Sequence, residues 1–273
     1  MTPLFEISGP EQTEPAERGR LFRIAIPSGS RLFDGHFPGR PILPGVAHLA
    51  LVEKALGAGL SEVRSLKLRK PVEPGAALEL LLGDVGEDGA VRFEIRGEGP
   101  VSQGMVVAST SPVSADAGGG ALSREAGEGR GGGGAPPPLP HQPPARLITA
   151  LLEASSEAVT CLAEIPLDHP LVSEGLAPAY LGLEAGAQAA AALEALGRGD
   201  GDGGGGAAPR IGYVVAIREA RFRFPWLAAG RPFRVEVRSA GSAPPLAVYE
   251  VRVEAAQAGD TDWVAGTVST FLP

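Results

Sequence analysis

The side chains that could do chemistry lie in two histidine-bearing loops and on one acidic helical run. His36 stands in GHFPGRPILPGV (35–46), eight residues before the Pro44–Gly45 step, and the apolar run VAHLALVEKAL (46–56) follows. An imidazole with its ordinary pKa near 6.5 is a general base at neutral pH. Proline is at home where a helix begins, and the Gly45 amide then sits at a helix N-terminus, where unpaired N–H groups and the dipole favour developing negative charge. A base beside such a donor suits removal of a proton α to a carbonyl, with the enolate oxygen held as it forms. In the second half, His169 lies in DHPLVSEGLAP (168–178), nine residues before Pro178. Glu184 and Gln188 share one face of the helical run 179–196. That run is otherwise almost wholly apolar, so it is expected to be buried, and a buried Glu184 suits a proton donor.

The elements that must position these groups can be read from periodicity. Strands are expected at 21–26, 62–70, 77–82, 91–96 and 103–109, with a helix at 46–56 between the first two. Residues 113–137 include GEGRGGGGAPP, which cannot bury a core and reads as a linker. The pattern then begins again, with strands at 146–153, 158–165, 217–224, 233–238, 247–253 and 263–271 and a helix at 179–196. Pro44 and Pro178 precede the two helices, and KLRKP (67–71) and RFRFP (221–225) follow them. The chain is therefore a diverged internal repeat, 1–112 and 138–273 around the linker. A helix followed by an antiparallel meander in each half predicts an α+β fold.

The motif GHFPGRPILPGV resembles the signature of the 3-hydroxyacyl-acyl carrier protein dehydratases, and KLRKPVEPGAALEL (67–80) is similar to the strand and turn after their helix. In the second half LPHQPP (139–144), PAYLGLEAGAQ (178–188) and FRFPWLAAG (222–230) are similar to the same superfamily, more loosely. The resemblance implies a double hotdog, two antiparallel sheets each wrapped around a central helix. It implies dehydration of a 3-hydroxyacyl thioester to the trans-2-enoyl form, with His36 as base and the Gly45 amide as oxyanion donor. Phe37, Pro38, Gly39 and Pro44 of the motif would line the substrate.

In that family the second catalytic group is a carboxylate six residues after the proline of the Pro–Gly step. Here that position is Ala50. Glu53 and His48 are displaced around the helix from it and are expected to cap or rim it. Six residues after Pro178, by contrast, stands Glu184, with Gln188 to orient it. The family's dimers build each site from a histidine of one subunit and an acid of the other. A two-repeat chain can do this internally, with His36 facing Glu184 in one composite site and His169 facing Ala50 in a dead one. His141 and Cys161 read as structural.

Two other readings remain open: an acyl-thioesterase in which Glu184 activates water, and a non-catalytic pseudo-dehydratase that binds acyl carriers. The substrate carrier would be an acyl carrier protein or coenzyme A. Arg40, Lys67, Arg69 and Lys70 are candidate docking cations, since a chain of net charge −8 needs a local basic patch to meet an acidic partner. That charge argues against a general nucleic-acid surface. Four histidines without ligand spacing argue against a metal, and no cofactor is implied. One cysteine excludes an internal disulfide framework, and no apolar run is long enough for a membrane helix, so a cytoplasmic protein is expected, as a pseudo-dimeric monomer or a homo-oligomer.

Overall fold

The computed structural model describes residues 3–12, 19–110, 137–197, 211–256 and 263–273. The predicted linker 113–137 lies almost wholly outside them. The first repeat runs β1 (Glu6–Gln12), β2 (Arg20–Ala25), α1 (Ala47–Leu56), β3 (Leu60–Leu68), β4 (Ala77–Val85), β5 (Ala90–Gly97) and β6 (Gly99–Ala108). The second runs β7 (Ile148–Ala154), β8 (Ala158–Glu164), β9 (Leu176–Pro178), α2 (Leu181–Gly197), β10 (Tyr213–Phe222), β11 (Trp226–Ala228), β12 (Pro232–Ala243), β13 (Leu246–Ala255) and β14 (Val264–Phe271).

Period-two patterning makes the strands. In β2, Phe22 and Ile24 are buried while Arg23 faces out, and in β10 Ala220 and Phe222 are buried while Arg221 faces out. Helix α1 stops at Gly57, whose φ of +70° closes the last turn through an N–H bond to the Glu53 carbonyl. Helix α2 is buried on nearly every side. Gly182 and Gly186 let it lie directly on Val251, Val253 and Val264, where a Cβ would not fit without a shift.

Two separate sheets were expected, and the structure differs. β3 pairs with β10, so one continuous antiparallel sheet of twelve strands runs β1-β2-β4-β5-β6-β3-β10-β14-β13-β12-β8-β7. Its halves mirror each other in order. Across the joint Val63 pairs with Ala220 and Leu66 with Ile217. In the repeats Val63 corresponds to Ile217 and Leu66 to Ala220, so the pairing is reciprocal, as a twofold axis requires. Edge strand β1, within the proline-broken N-terminal stretch, and the short pair β9–β11 were not expected from periodicity.

Candidate active site

The His36 loop is held by local backbone bonds and by the other repeat. After the 3-10 turn Arg31–Phe33, the His36 N–H donates to the Phe33 carbonyl at 3.1 Å. Gly35, Phe37 and Gly39 all have positive φ, so the chain reverses sharply around the histidine. His36 Nδ1 lies 2.8 Å from the Ile42 carbonyl oxygen. A carbonyl only accepts, so Nδ1 carries the proton and Nε2 keeps its lone pair. Burial pushes the His36 pKa down, opposed by the charge of Glu184 and by the bond to Ile42. The ring is therefore a neutral base at pH 7.

The second repeat reaches this loop through 141–147. The Gln142 N–H donates to the Gly35 carbonyl at 2.8 Å, and a Cβ on Gly35 would collide with the Gln142 carbonyl. This places His141 against the motif, with ring centroids 5.4 Å from His36 and 4.8 Å from Phe37. Burial, then the repulsion that a second protonated ring beside His36 would meet and the charge of Arg146, push His141 down to about 3, so it is neutral too. Its Nδ1 has no hydrogen-bond partner among the described residues.

Glu184, in the first turn of α2, completes the cluster. Gln188 Nε2 donates to Glu184 Oε1 at 3.2 Å and to the Ala145 carbonyl at 2.8 Å. Gln188 Oε1 accepts from the Leu147 N–H at 2.9 Å. Gln188 thus fixes both the carboxylate and the segment that carries His141. His141 Nε2 lies 3.6 Å from Glu184 Oε1. One nitrogen of His36, one of His141 and one oxygen of Glu184 all lie within 4.8 Å of one another. Two neutral imidazoles and a carboxylate are also a set that a transition-metal ion could use.

A cavity of about 430 Å³ opens beside this cluster, lined by both repeats. His36, Phe37, Gly45 and Leu68 come from the first, and His141, Glu184, Tyr213 and Val214 from the second. Gly45 forms wall because a Cβ there would come 2.8 Å from Leu68 Cδ1. Arg40, Arg69 and Lys70 are exposed at its edge, and Arg40 Nη1 donates to the Tyr213 hydroxyl at 3.2 Å.

Several expected site residues stand elsewhere. Pro38 and Gly39 are exposed on the outside of the turn, and Lys67 points away from the cavity in β3, so none of the three lines it. Pro44 and His169 border a narrow crevice of about 20 Å³ with His36 and Glu184. His169 Nδ1 accepts from the Leu171 N–H, so its ring is engaged within its own loop. His48 and Glu53 neither cap nor rim α1. His48 is buried, with Nδ1 2.9 Å from Ser102 Oγ, and lines the cavity beside Gly45, whereas Glu53 lies outside it and accepts from the Tyr180 hydroxyl at 2.7 Å. His141, expected to be structural, instead joins the site, through a contact with the His36 loop that spans more than a hundred residues and that no local pattern connects.

The profile of the ApeP-like dehydratases, described as the ApeP dehydratase, matches residues 136–273, and that of the ApeI-like dehydratases matches residues 12–106. The chain is 34% identical over 110 residues to the 3-hydroxyacyl-[acyl-carrier-protein] dehydratase FabZ of Rhizorhabdus wittichii, covering 34% of this chain and 68% of that protein. It is 37% identical over 71 residues to FabZ of Novosphingobium aromaticivorans, covering 20% of this chain and 45% of that one. The chain thus spans less than half the length of the latter relative. Among solved structures, the dehydratase domain of PpsC from Mycobacterium tuberculosis, in complex with C12:1-CoA, matches with a TM-score of 0.62 at 16% identity, over 99% of both chains. The bifunctional dehydratase-cyclase domain of ambruticin biosynthesis matches with a TM-score of 0.59 at 17% identity, over 98% of this chain and 95% of that one. At such identities the likeness shows the fold, a double hotdog spanning both repeats. With its two halves matching ApeI-like and ApeP-like profiles in turn, the chain belongs to the hotdog-fold dehydratase family.

Proposed function

We propose that the chain dehydrates a 3-hydroxyacyl thioester to the trans-2-enoyl thioester at one composite site between its repeats. The observation that carries this reading is the convergence of His36 and Glu184, from different repeats, within 4.8 Å at the wall of one cavity. His36 Nε2 takes the α-proton. The Gly45 N–H, at the start of α1, receives the thioester oxygen as enolate character develops. Glu184 in its acid form protonates the β-hydroxyl, the C–O bond breaks, and water leaves as the C2–C3 double bond forms. Phe37 shapes the wall, and Gln188 aims the carboxyl.

The relatives named above act, by name, on acyl-carrier-protein substrates, and a carrier-bound acyl chain fits this cavity. Arg40, Arg69 and Lys70 at its edge suit the phosphate of a pantetheine arm, whether on a carrier protein or on coenzyme A. A thioesterase would leave His36 idle, yet its ring is held in the tautomer whose lone pair is free for Nε2 to act as base. Since the two repeats already supply both halves of a site, a single chain suffices for activity. The test is hydration of crotonyl and longer 2-enoyl thioesters by the wild type, His36→Ala and Glu184→Gln. The wild type is expected to turn over, and each variant to fall by ~10²–10⁴-fold. Variants within tenfold of wild type would sink the composite site, and an inactive wild type that still binds carrier protein would leave the binding-only reading.

A further inference from the structure

Helix α2 carries a second carboxylate into the same cavity. Glu184, Ala187, Ala191 and Glu194 all line it. At 100° per residue they form one stripe of the helix, with two alanines between two acids. Ten residues separate the acids, so Glu194 stands about 15 Å along the axis from the reacting carboxylate. The wall between them is apolar, from Ala187, Ala191, Leu43, Leu68 and Val214. Helix α1 has no equivalent, because it ends at Gly57 after 10 residues where α2 continues for 17.

A wall that received only hydrocarbon would need no carboxylate, and drawing even a half-buried one such as Glu194 away from water is costly unless it is hydrogen-bonded. Here the support is built from two strands. Glu194 Oε1 accepts from the Tyr249 hydroxyl at 2.6 Å and from Thr270 Oγ1 at 3.3 Å. Tyr249 and Thr270 are buried behind the half-buried Glu194, and Thr270 lines the cavity with it. Extended carbon–carbon bonds advance about 1.25 Å each, so 15 Å is roughly a dozen bonds from the reacting carbons.

Resting on the dehydration reading above, we propose that Glu194 is a specificity-determining residue that binds a hydrogen-bond donor, a hydroxyl, carried near the far end of a long acyl chain. Amide N–H groups of a pantetheine arm offer the same chemistry. That arm ends in a phosphate, which a carboxylate repels and which Arg40, Arg69 and Lys70 attract, so the acyl end is the better occupant.

The test is equilibrium binding by calorimetry of two non-reacting thioesters, tetradecanoyl- and 14-hydroxytetradecanoyl-N-acetylcysteamine, to the full chain and to Glu194→Gln and Glu194→Leu. The wild type is expected to bind the hydroxylated chain about tenfold more tightly, as one net hydrogen bond to a charged acceptor allows. Glu194→Gln, isosteric and still an acceptor, should keep part of the preference, and Glu194→Leu should abolish or reverse it. Equal binding of both chains by the wild type overturns the proposal. So does a preference that survives in Glu194→Leu, or one that depends on Glu194 only when the thioester carries a full pantetheine arm. Circular dichroism and the unfolding midpoint establish that each variant is folded. Failure of the dehydration reading would show separately, as a wild type inactive on crotonyl thioester, and leaves these affinities readable.

Discussion

Ala50 and Glu184 occupy the same place in their helices, six residues after a proline, and Glu53 and Ala187 share the place three residues later. Ala187 lines the open cavity, whereas the Glu53 carboxyl accepts from the Tyr180 hydroxyl. The same exchange runs through the neighbours. Tyr180 stands where the first repeat has Val46, and Trp226 where it has Val72. Glu53, Trp226 and Pro225 pack together around Gly59, itself the counterpart of the cavity residue Tyr213. Large groups thus fill on one side of the pseudo-twofold the volume that small groups leave open on the other. The histidines diverge as well. His36 donates through Nδ1 and keeps Nε2 free, while His169 spends Nδ1 as an acceptor within its loop. An internal duplication can lose one site through packing as well as through the loss of one carboxylate.

The largest break in this comparison should come from moving the acid. Glu184→Gln is expected to cost ~10²–10⁴-fold in kcat/KM, and adding Ala50→Glu should restore nothing, because Glu53, Tyr180 and Trp226 occupy the space beside it. Rescue in steady-state assays of the double variant would show that the second site is only missing a side chain. His169→Ala should stay within a few-fold of wild type, against a loss like that of Glu184→Gln for His36→Ala. The pH profile sharpens the same contrast. Since burial lowers the His36 pKa, the neutral base persists below its ordinary 6.5, and the acid limb of kcat/KM should fall below that value. An acid limb above 6.5 in wild type would exclude His36 as the base.

Next in size is the seam between the repeats. Gly35 has φ +73°, and a side chain there would strike the Gln142 carbonyl and approach the Pro143 carbonyl to 2.8 Å. Gly35→Ala should therefore destabilise the fold by on the order of 3 kcal/mol, from positive-φ strain and the displaced segment together. Pro38→Ala, on the exposed turn two residues beyond His36, should shift the unfolding midpoint little. Equal midpoints for the two variants in thermal denaturation would mean that the 141–147 segment does not latch onto the histidine loop.

Much of this was legible in the sequence, for local reasons. The periodicities of Phe22-Arg23-Ile24 and of Ala220-Arg221-Phe222 fix their strands whatever the tertiary context. The position of Glu184 relative to Pro178 anticipated the carboxylate that faces His36. What stayed hidden depends on distant partners. The joining of two sheets into one rests on the pairing of β3 with β10, each of which looks like an ordinary strand. His141 gains its place only through Gln142 and Gly35, and Glu53 looked like a rim residue until Tyr180, in the other repeat, came to meet it.

The smallest expected effect tests that last contact. Burial pushes the Glu53 carboxyl up to about 7 from its ordinary 4.5, opposed by the hydrogen bond from Tyr180, and its Oε1 has no partner among the described residues. Raising the pKa on folding means that the folded state favours the protonated acid. Below about 4.5 both states are protonated and nothing is lost. As pH rises from there through 7, the unfolded chain ionises first, and the folded state loses stability relative to it. Glu53→Gln removes the titration and keeps an acceptor for Tyr180. The variant should gain on wild type between pH 4.5 and pH 8 by on the order of 1–2 kcal/mol, allowing for partial solvent screening. Its enoyl-thioester hydration at pH 7 should stay within about twofold of wild type, since Glu53 lies outside the cavity. A stability difference that does not change with pH would mean that Glu53 is ionised in the fold. A large loss of activity would instead place a second working acid on the side of the molecule that Tyr180 and Trp226 fill.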